Sequence, residues 1–343
     1  MSVTQYKCPN CGGAIVFDPA TQDIICPYCK SHYTKKDFDG TTAKAGADDG
    51  FESDAATYTC GNCGAQIVTT ATTAATYCYF CHTPVVLEKR LSGTKKPDYV
   101  LPFKLTKDQA TERLTGLFKS ARFLPPIFKD RGELEKVSGV YFPYWFTDSD
   151  ADVALRGTGQ NIRVWRAGDY EYTETSIYEI RRGGNVLLNS LSEPAIKDAG
   201  KVNLDYVCPF DDTSFENFSM TYLAGLFAEQ RELDQLDVAE KMRAKMNTLA
   251  GNAVRSTIGA YSSVSVDSLN VDVKNTVWKY ALLPVWVMTY NVEGTRYVYA
   301  INGQSGKIYG DLPVDKKKLN RVSALITAAC AILGLLAGAV TLL

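Results

Sequence analysis

The chain has 343 residues, room for two or three domains, and its 37 Lys and Arg against 38 Asp and Glu leave a formal net charge of −1 at pH 7. That balance excludes a molecule whose overall field draws it to polyanions. Both histidines, His32 and His82, lie in the first quarter of the chain, so the remainder cannot assemble a Ser-His or Cys-His nucleophile.

Residues 1–6, Met1-Ser2-Val3-Thr4-Gln5-Tyr6, have no apolar signal core, and a reducing, cytoplasmic setting for the cysteines that follow is expected. Those cysteines come in a repeated pattern. Cys8-Pro9-Asn10-Cys11 and Cys26-Pro27-Tyr28-Cys29 recur, at the same internal spacing, as Cys60-Gly61-Asn62-Cys63 and Cys78-Tyr79-Phe80-Cys81. A Cys-x-x-Cys turn offers two thiolates to one cation, and two such turns on a short hairpin close a tetrahedral four-sulfur site. Between the first pair of turns, 14–17 and 22–25 read as strands around Asp18-Pro19-Ala20-Thr21; between the second, 65–68 and 73–77 read likewise.

The expectation is two zinc ribbons, 1–33 and 58–90, each holding one structural Zn2+ and each too poor in apolar residues to fold without it. Four thiolates leave no open coordination position, which points away from catalysis. His32 and His82 read as hairpin surface residues. Acidic residues outnumber basic ones up to Arg90, which argues against nucleic acid as partner. The intervening 34–57, rich in Thr, Ala, Gly and Asp, reads as a flexible linker.

From 91 to 315 the pattern becomes α+β. Thr106 followed by Gln109 signals a capped helix running to about Ser120, with Ala110, Leu114, Leu117 and Phe118 on one side. Strands are expected at 139–156, 162–167, 170–181 and 186–188, a long helix at 222–257, and further strands at 264–273, 277–290, 295–301 and 307–309. A fainter repeat runs through this region: Val100-Leu101-Pro102-Phe103 and Val207-Cys208-Pro209-Phe210 each precede a helix, and Phe142-Pro143-Tyr144-Trp145 and Leu283-Pro284-Val285-Trp286 each follow one. Two related halves are expected. Asn302-Gly303-Gln304-Ser305-Gly306-Lys307 lacks the spacing of a phosphate loop and reads as a hairpin turn. Cys208 reads as a packed thiol, and Asp148, Asp150, Asp152, Asp211 and Asp212 as solvated turns. No catalytic residues are assigned, and an enzyme is not expected.

The C-terminus, 316–343, opens with Lys316, Lys317, Lys318 and Arg321 and continues as an uncharged run from Val322 to Leu343. At about 1.5 Å per residue that run is long enough for a bilayer core, and its basic collar assigns it as a transmembrane tail anchor with the preceding domains in the cytoplasm. Gly334 and Gly338 form a Gly-x-x-x-Gly pair through which two tails could associate as a homodimer.

The knuckles CPNCGG, CPYC, CGNCGA and CYFC, the strands YFPYWFTD and LPVWVMTY, the closing INGQSGKIYG and the apolar C-terminus together resemble a bacterial family of membrane-tailed double zinc-ribbon proteins, labelled TFIIB-type or primosomal-like. The helicase sense of the second label does not suit a chain without a Walker phosphate loop. The resemblance covers most of the chain. It is similar to a membrane-anchor component encoded with flotillin-like SPFH proteins and phage-shock-protein-A-like coat proteins in envelope-stress operons. It implies a single-pass scaffold or adaptor recruiting peripheral proteins to the bacterial cell membrane; the alternative is a nucleic-acid-binding ribbon protein of the transcription or replication type.

Overall fold

The computed structural model describes residues 6–38, 55–60, 66–70, 73–77, 83–87, 91, 95–129, 137–197, 202, 204–292 and 295–341. Strand dominates it, which corrects the α+β expectation. Strands β1 (Val16–Asp18), β2 (Asp23–Ile25) and β3 (His32–Tyr33) form a small antiparallel sheet of their own, in that order. Strands β4 (Ala55–Thr59) and β5 (Gln66–Thr70) pair only with each other.

The principal sheet gathers β6 (Thr73–Tyr77), β7 (Pro84–Val86), β8 (Tyr99–Val100), β9 (Ser138–Ala167), β10 (Tyr170–Pro194), β11 (Glu216–Asn217), β12 (Phe227–Glu229), β13 (Ser263–Val292), β14 (Thr295–Asn302) and β15 (Ile308–Tyr309). Its path runs β11-β8-β13-β9-β12-β6-β7, with β10 added to β9, and β14 then β15 added to β13.

The segments expected as separate strands fuse into strands of 30, 25 and 30 residues. Gly157 and Gly159 look like breaks in sequence but lie inside β9. A Cβ on Gly157 would stand 2.5 Å from the Ser265 carbonyl oxygen of β13, and one on Gly159 2.7 Å from the Tyr261 ring. Glycine here permits close approach instead of ending the strand.

Helix α1 (Lys107–Ser120) carries the Thr106/Gln109 capping box and buries Ala110, Leu114 and Phe118. The second helix is shorter than expected. Residues from Met220 to Leu223 form a 3-10 turn, Gly225 turns the chain at φ +80°, β12 follows, and α2 runs only from Gln235 to Arg255. It lays Met242, Met246, Ala250 and Val254 against Val153, Leu155, Ile180 and Leu188 of the long strands.

The two Pro-x-Trp segments meet at the centre of the sheet. β9 and β13 pair antiparallel with Phe142 opposite Leu283, flanked by Pro143 opposite Leu282 and Tyr141 opposite Pro284, so corresponding residues are related by a local two-fold axis. The relation extends outward. Tyr99–Val100 lies parallel on Ala281–Leu282, and Phe227–Ala228 lies parallel on Val140–Tyr141. Trp286 Nε1 donates to the Leu105 carbonyl at 3.1 Å, as Trp145 Nε1 donates to the Leu233 carbonyl at 3.0 Å. Amides of Lys104 and Leu105 share the Gly303 carbonyl, and those of Glu232 and Leu233 share the Ala195 carbonyl. Gln109 accepts from the Thr106 amide before α1, and Asp237 from the Asp234 amide before α2.

The counterpart of Val100–Phe103 is therefore the stretch from Ala228 to Arg231, not the expected Val207–Phe210. The latter segment is held elsewhere: Asn302 Nδ2 donates to the carbonyls of Val207 at 2.9 Å and Pro209 at 3.1 Å. The same Asn302 receives the Gln304 and Ser305 amides on Oδ1, which shapes the turn after β14. Asp148, Asp150 and Asp152 are not turns. They project from one side of β9 toward Lys279, Asn275 and Lys274 of β13.

Helix α3 (Lys316–Thr341) closes the chain. Among the described residues no helix is long and apolar enough to cross a membrane, which overturns the tail anchor and the single-pass location at the bacterial cell membrane drawn from it. Lys316, Lys317, Lys318 and Arg321 belong to the helix itself, so its first turns are charged rather than apolar. The surroundings of Gly334 and Gly338 lie outside the described residues.

Replacing Trp286 or Trp145 by Phe keeps an aromatic ring but removes the donor to a carbonyl, buried at Leu105 and part-buried at Leu233. Each change is expected to lower the unfolding free energy by about 1–3 kcal/mol, read from urea denaturation, and equal losses would reflect the equivalence of the two sites.

Candidate metal centre

Local backbone geometry builds the site. The chain reverses after Cys11 at Gly12 (φ +72°) and after Cys29 at Lys30 (φ +61°). In the first knuckle the Gly12 amide returns to the Cys8 carbonyl and the Cys8 amide reaches Gly13. In the second, Lys30 returns to Cys26 and the Cys26 amide reaches Ser31. Two superposable turns thus face each other across β1, β2 and β3.

The four Sγ atoms of Cys8, Cys11, Cys26 and Cys29 lie within 4.8 Å of one another, with Cys8–Cys29 at 3.5 Å and Cys11–Cys26 at 3.6 Å. A tetrahedron with Zn–S bonds of about 2.3 Å has sulfur–sulfur edges of about 3.8 Å, so the donor set fits a four-thiolate metal ion. The separations are far beyond a disulfide bond of about 2.05 Å.

Ionisation within the cluster is uneven. Burial opposes a Cys8 thiolate, yet hydrogen bonds from the Tyr33 hydroxyl, 3.1 Å away, and from the Cys11 and Asn10 amides outweigh it and bring the thiol from 9.0 down to about 6. The Ser31 hydroxyl and amide lower Cys29. For Cys11, hydrogen bonding to the Gly13 amide is overcome by the neighbouring Cys29 and Cys26 sulfurs, which push it up to about 12. Four sulfurs this close ionise together only when a cation discharges their repulsion. Tyr33 and Ser31 are supporting residues that the cysteine spacing did not point to. His32 is exposed, as a surface residue should be.

This ribbon packs more deeply than its few apolar residues predict. Ile15, Phe17 and Ile24 are buried, and they share one core with Cys8, Cys26, Tyr222, Leu223 and Trp286. The Phe17 ring meets Tyr222 at 5.3 Å, its amide donates to the Ala224 carbonyl at 2.9 Å, and Gln22 Nε2 donates to the Phe103 carbonyl at 2.7 Å. Gly225 passes so close that a Cβ there would lie 2.6 Å from Val16 Cγ1. The ribbon is wedged into the main body.

The second cysteine set differs. Cys60 is buried, while Cys63, Cys78 and Cys81 lie outside the described residues. β5 pairs with β4, which begins within the stretch expected as linker, and β6 pairs with β7 and β12 of the principal sheet instead of with β5. One four-cysteine group that can hold a metal ion is established; a second is not. Of the other two cysteines, Cys208 is half-buried, its thiol raised chiefly by burial, and Cys330 is exposed.

Loss of a ligand should propagate through the shared core. Cys26→Ser is expected to lower the metal content by one equivalent per chain and to depress the thermal midpoint, measured by elemental analysis and calorimetry. Because protons compete for the same thiolates, metal retention should fall as pH is lowered and rise as it is raised, as followed by a chromogenic chelator.

No family model matches the chain, and no solved structure matches it. It is 30% identical over 319 residues to the uncharacterized protein YdjG of Bacillus subtilis (strain 168), an alignment that covers 92% of each chain. At that identity and coverage the chain belongs to the same family as YdjG.

Proposed function

We propose that the protein is a zinc-stabilised adaptor that acts by binding other proteins. In this reading a structural Zn2+ occupies the thiolates of Cys8, Cys11, Cys26 and Cys29, and a second occupies Cys60, Cys63, Cys78 and Cys81. The observation that carries the proposal is the wedging of the first clamp into the principal core, where Cys8 and Cys26 are buried with Phe17 and Tyr222. A four-sulfur site has no free position for substrate, so its metal serves shape. A ribbon held rigidly against a sheet presents a preorganised surface, which lowers the cost of ordering on binding.

The even charge balance and the acidic surplus of the cysteine-rich segment favour protein over nucleic acid as partner. Flotillin-like SPFH proteins and phage-shock-protein-A-like coat proteins, implied by the family resemblance, are the first candidates to test.

Affinity capture from cells with the native chain and with Cys26→Ser tests the reading. The native chain should carry two zinc equivalents and retain a defined set of proteins, and the variant should lose metal and at least part of that set. A native chain devoid of zinc, a partner set unchanged in the metal-depleted variant, or a salt-sensitive shift of DNA or RNA by the native chain would each overturn it.

A further inference from the structure

We infer that the outer edge of β10 is a self-association surface, at which two copies of the chain pair β10 to β10 antiparallel about a two-fold axis at Ile180. The inference does not depend on zinc.

The long strands form a blade in the order β10-β9-β13, with α2 on one side and, on the other, a face of polar residues interspersed with the exposed Ile177 and Leu187. Among the described residues, nothing pairs with the outer edge of β10, nor with that of β13 before Tyr280. A long unpaired edge is a template for another strand, and proteins that must stay apart interrupt such edges with bulges and charges. The two edges differ in this respect. Both carry charges, Asp267, Asp272 and Lys274 on β13 and Glu171, Glu174, Glu179, Arg181 and Arg182 on β10, but β13 is also interrupted twice, by an extra residue between Val266 and Ser268 and again between Lys274 and Val277. β10 keeps an unbroken register from Tyr170 to Leu188.

The register of the added strand follows from the turn. Gly168 (φ +61°) and Asp169 form a two-residue hairpin, which makes Ala167 and Tyr170 a hydrogen-bonded pair. Even-numbered residues of β10 then direct their amides and carbonyls to β9, and odd-numbered ones from Glu171 to Leu187 direct theirs to the open edge.

Self-pairing about Ile180 sets Glu179 opposite Arg181 of the second copy, twice over. It sets Ile177, 67% exposed, beside Gly183 of the second copy, where no side chain competes for space. Leu187, also 67% exposed, falls opposite Thr173, and Tyr172, 46% exposed, opposite Leu188. In the single chain Arg181 pairs within its own strand with Glu179 at 2.6 Å, an exposed pair that can re-pair across the axis, and its carbonyl accepts at 2.9 Å from the Arg182 guanidinium, which also donates to the Thr257 carbonyl at 3.4 Å. The product is a six-stranded blade, β13-β9-β10-β10-β9-β13, with both α2 helices on one side.

Light scattering on the eluting full chain tests this. The native protein should have twice the chain mass. Arg181→Glu, which sets like charges opposite each other at both symmetric positions, should weaken the dimer at least about tenfold while leaving near-UV circular dichroism and metal content unchanged. The double exchange Glu179→Arg/Arg181→Glu should restore it. Hydrogen exchange on the native chain gives a reading free of any variant: the amides of Thr173, Thr175, Ile177, Glu179 and Arg181 should be protected at high concentration and exposed on dilution. A native chain of single mass at its highest soluble concentration, a dimer indifferent to Arg181→Glu, or fast exchange of those five amides at every concentration would overturn the inference.

Discussion

The antiparallel pairing of β9 with β13 is the constraint on which the remaining architecture hangs. Its register sets Phe142 opposite Leu283, and everything placed symmetrically around that point follows from it. Each half contributes a short strand that pairs with the long strand of the other half, so neither can complete its sheet alone. A one-residue slip would turn every side chain of the pair to the wrong face, and the buried Trp145 and Trp286, each tied to a backbone carbonyl just before a helix, resist such a slip. The helices are thereby located as well, since both begin immediately after the carbonyls that the tryptophans hold.

The ribbon at the N-terminus uses that platform. A hairpin with strands of three residues has too little area to fold on its own, and the usual remedy is a metal. Here the remedy is double: sulfur ligands gather at one end, and Phe17, Ile15 and Ile24 reach into a core supplied by the platform. Because Cys8 and Cys26 belong to that core while Cys11 and Cys29 face solvent, the clamp has one structural and one accessible side. Residues from Tyr222 to Gly225 carry the contact between ribbon and sheet.

Charges are arranged along the blade with similar economy. Asp148, Asp150 and Asp152 repeat at every second position of β9, so they share a face and meet Lys279, Asn275 and Lys274 across the strand pair. Lys279 and the Ser190 amide hold Asp148 below its ordinary range despite its partial burial, and Lys274 and Asn185 do so for Asp152. Deeper in, Glu193 is almost wholly buried and is neutralised by Lys241 and Lys245 of α2, each at 2.6 Å. That contact fastens the helix to the buried end of β10, beside Trp145, Ala195 and Val238.

Features encoded within a few consecutive residues could be read directly from the chain. Spacing alone identifies Cys8, Cys11, Cys26 and Cys29 as one donor set, because two tight turns on a hairpin have few other ways to fold, and Thr106 with Gln109 marks the start of α1 because capping is a contact between near neighbours. What required the tertiary structure is what depends on distant partners. The strand expected at 139–156 stops short of Gly157 and Gly159 until β13 is laid beside them; the 222–234 stretch reads as helix until Phe227 and Ala228 find an open edge on β9; the second cysteine repeat reads like the first until β6 is drawn into the principal sheet. An apolar C-terminal run implies a membrane only if its helix is long and apolar enough, and among the described residues no helix is. Local pattern determined the clamp and the caps, and long-range backbone pairing, whose energy is absent from any short window of sequence, decided where strands continue and what the ribbon packs against.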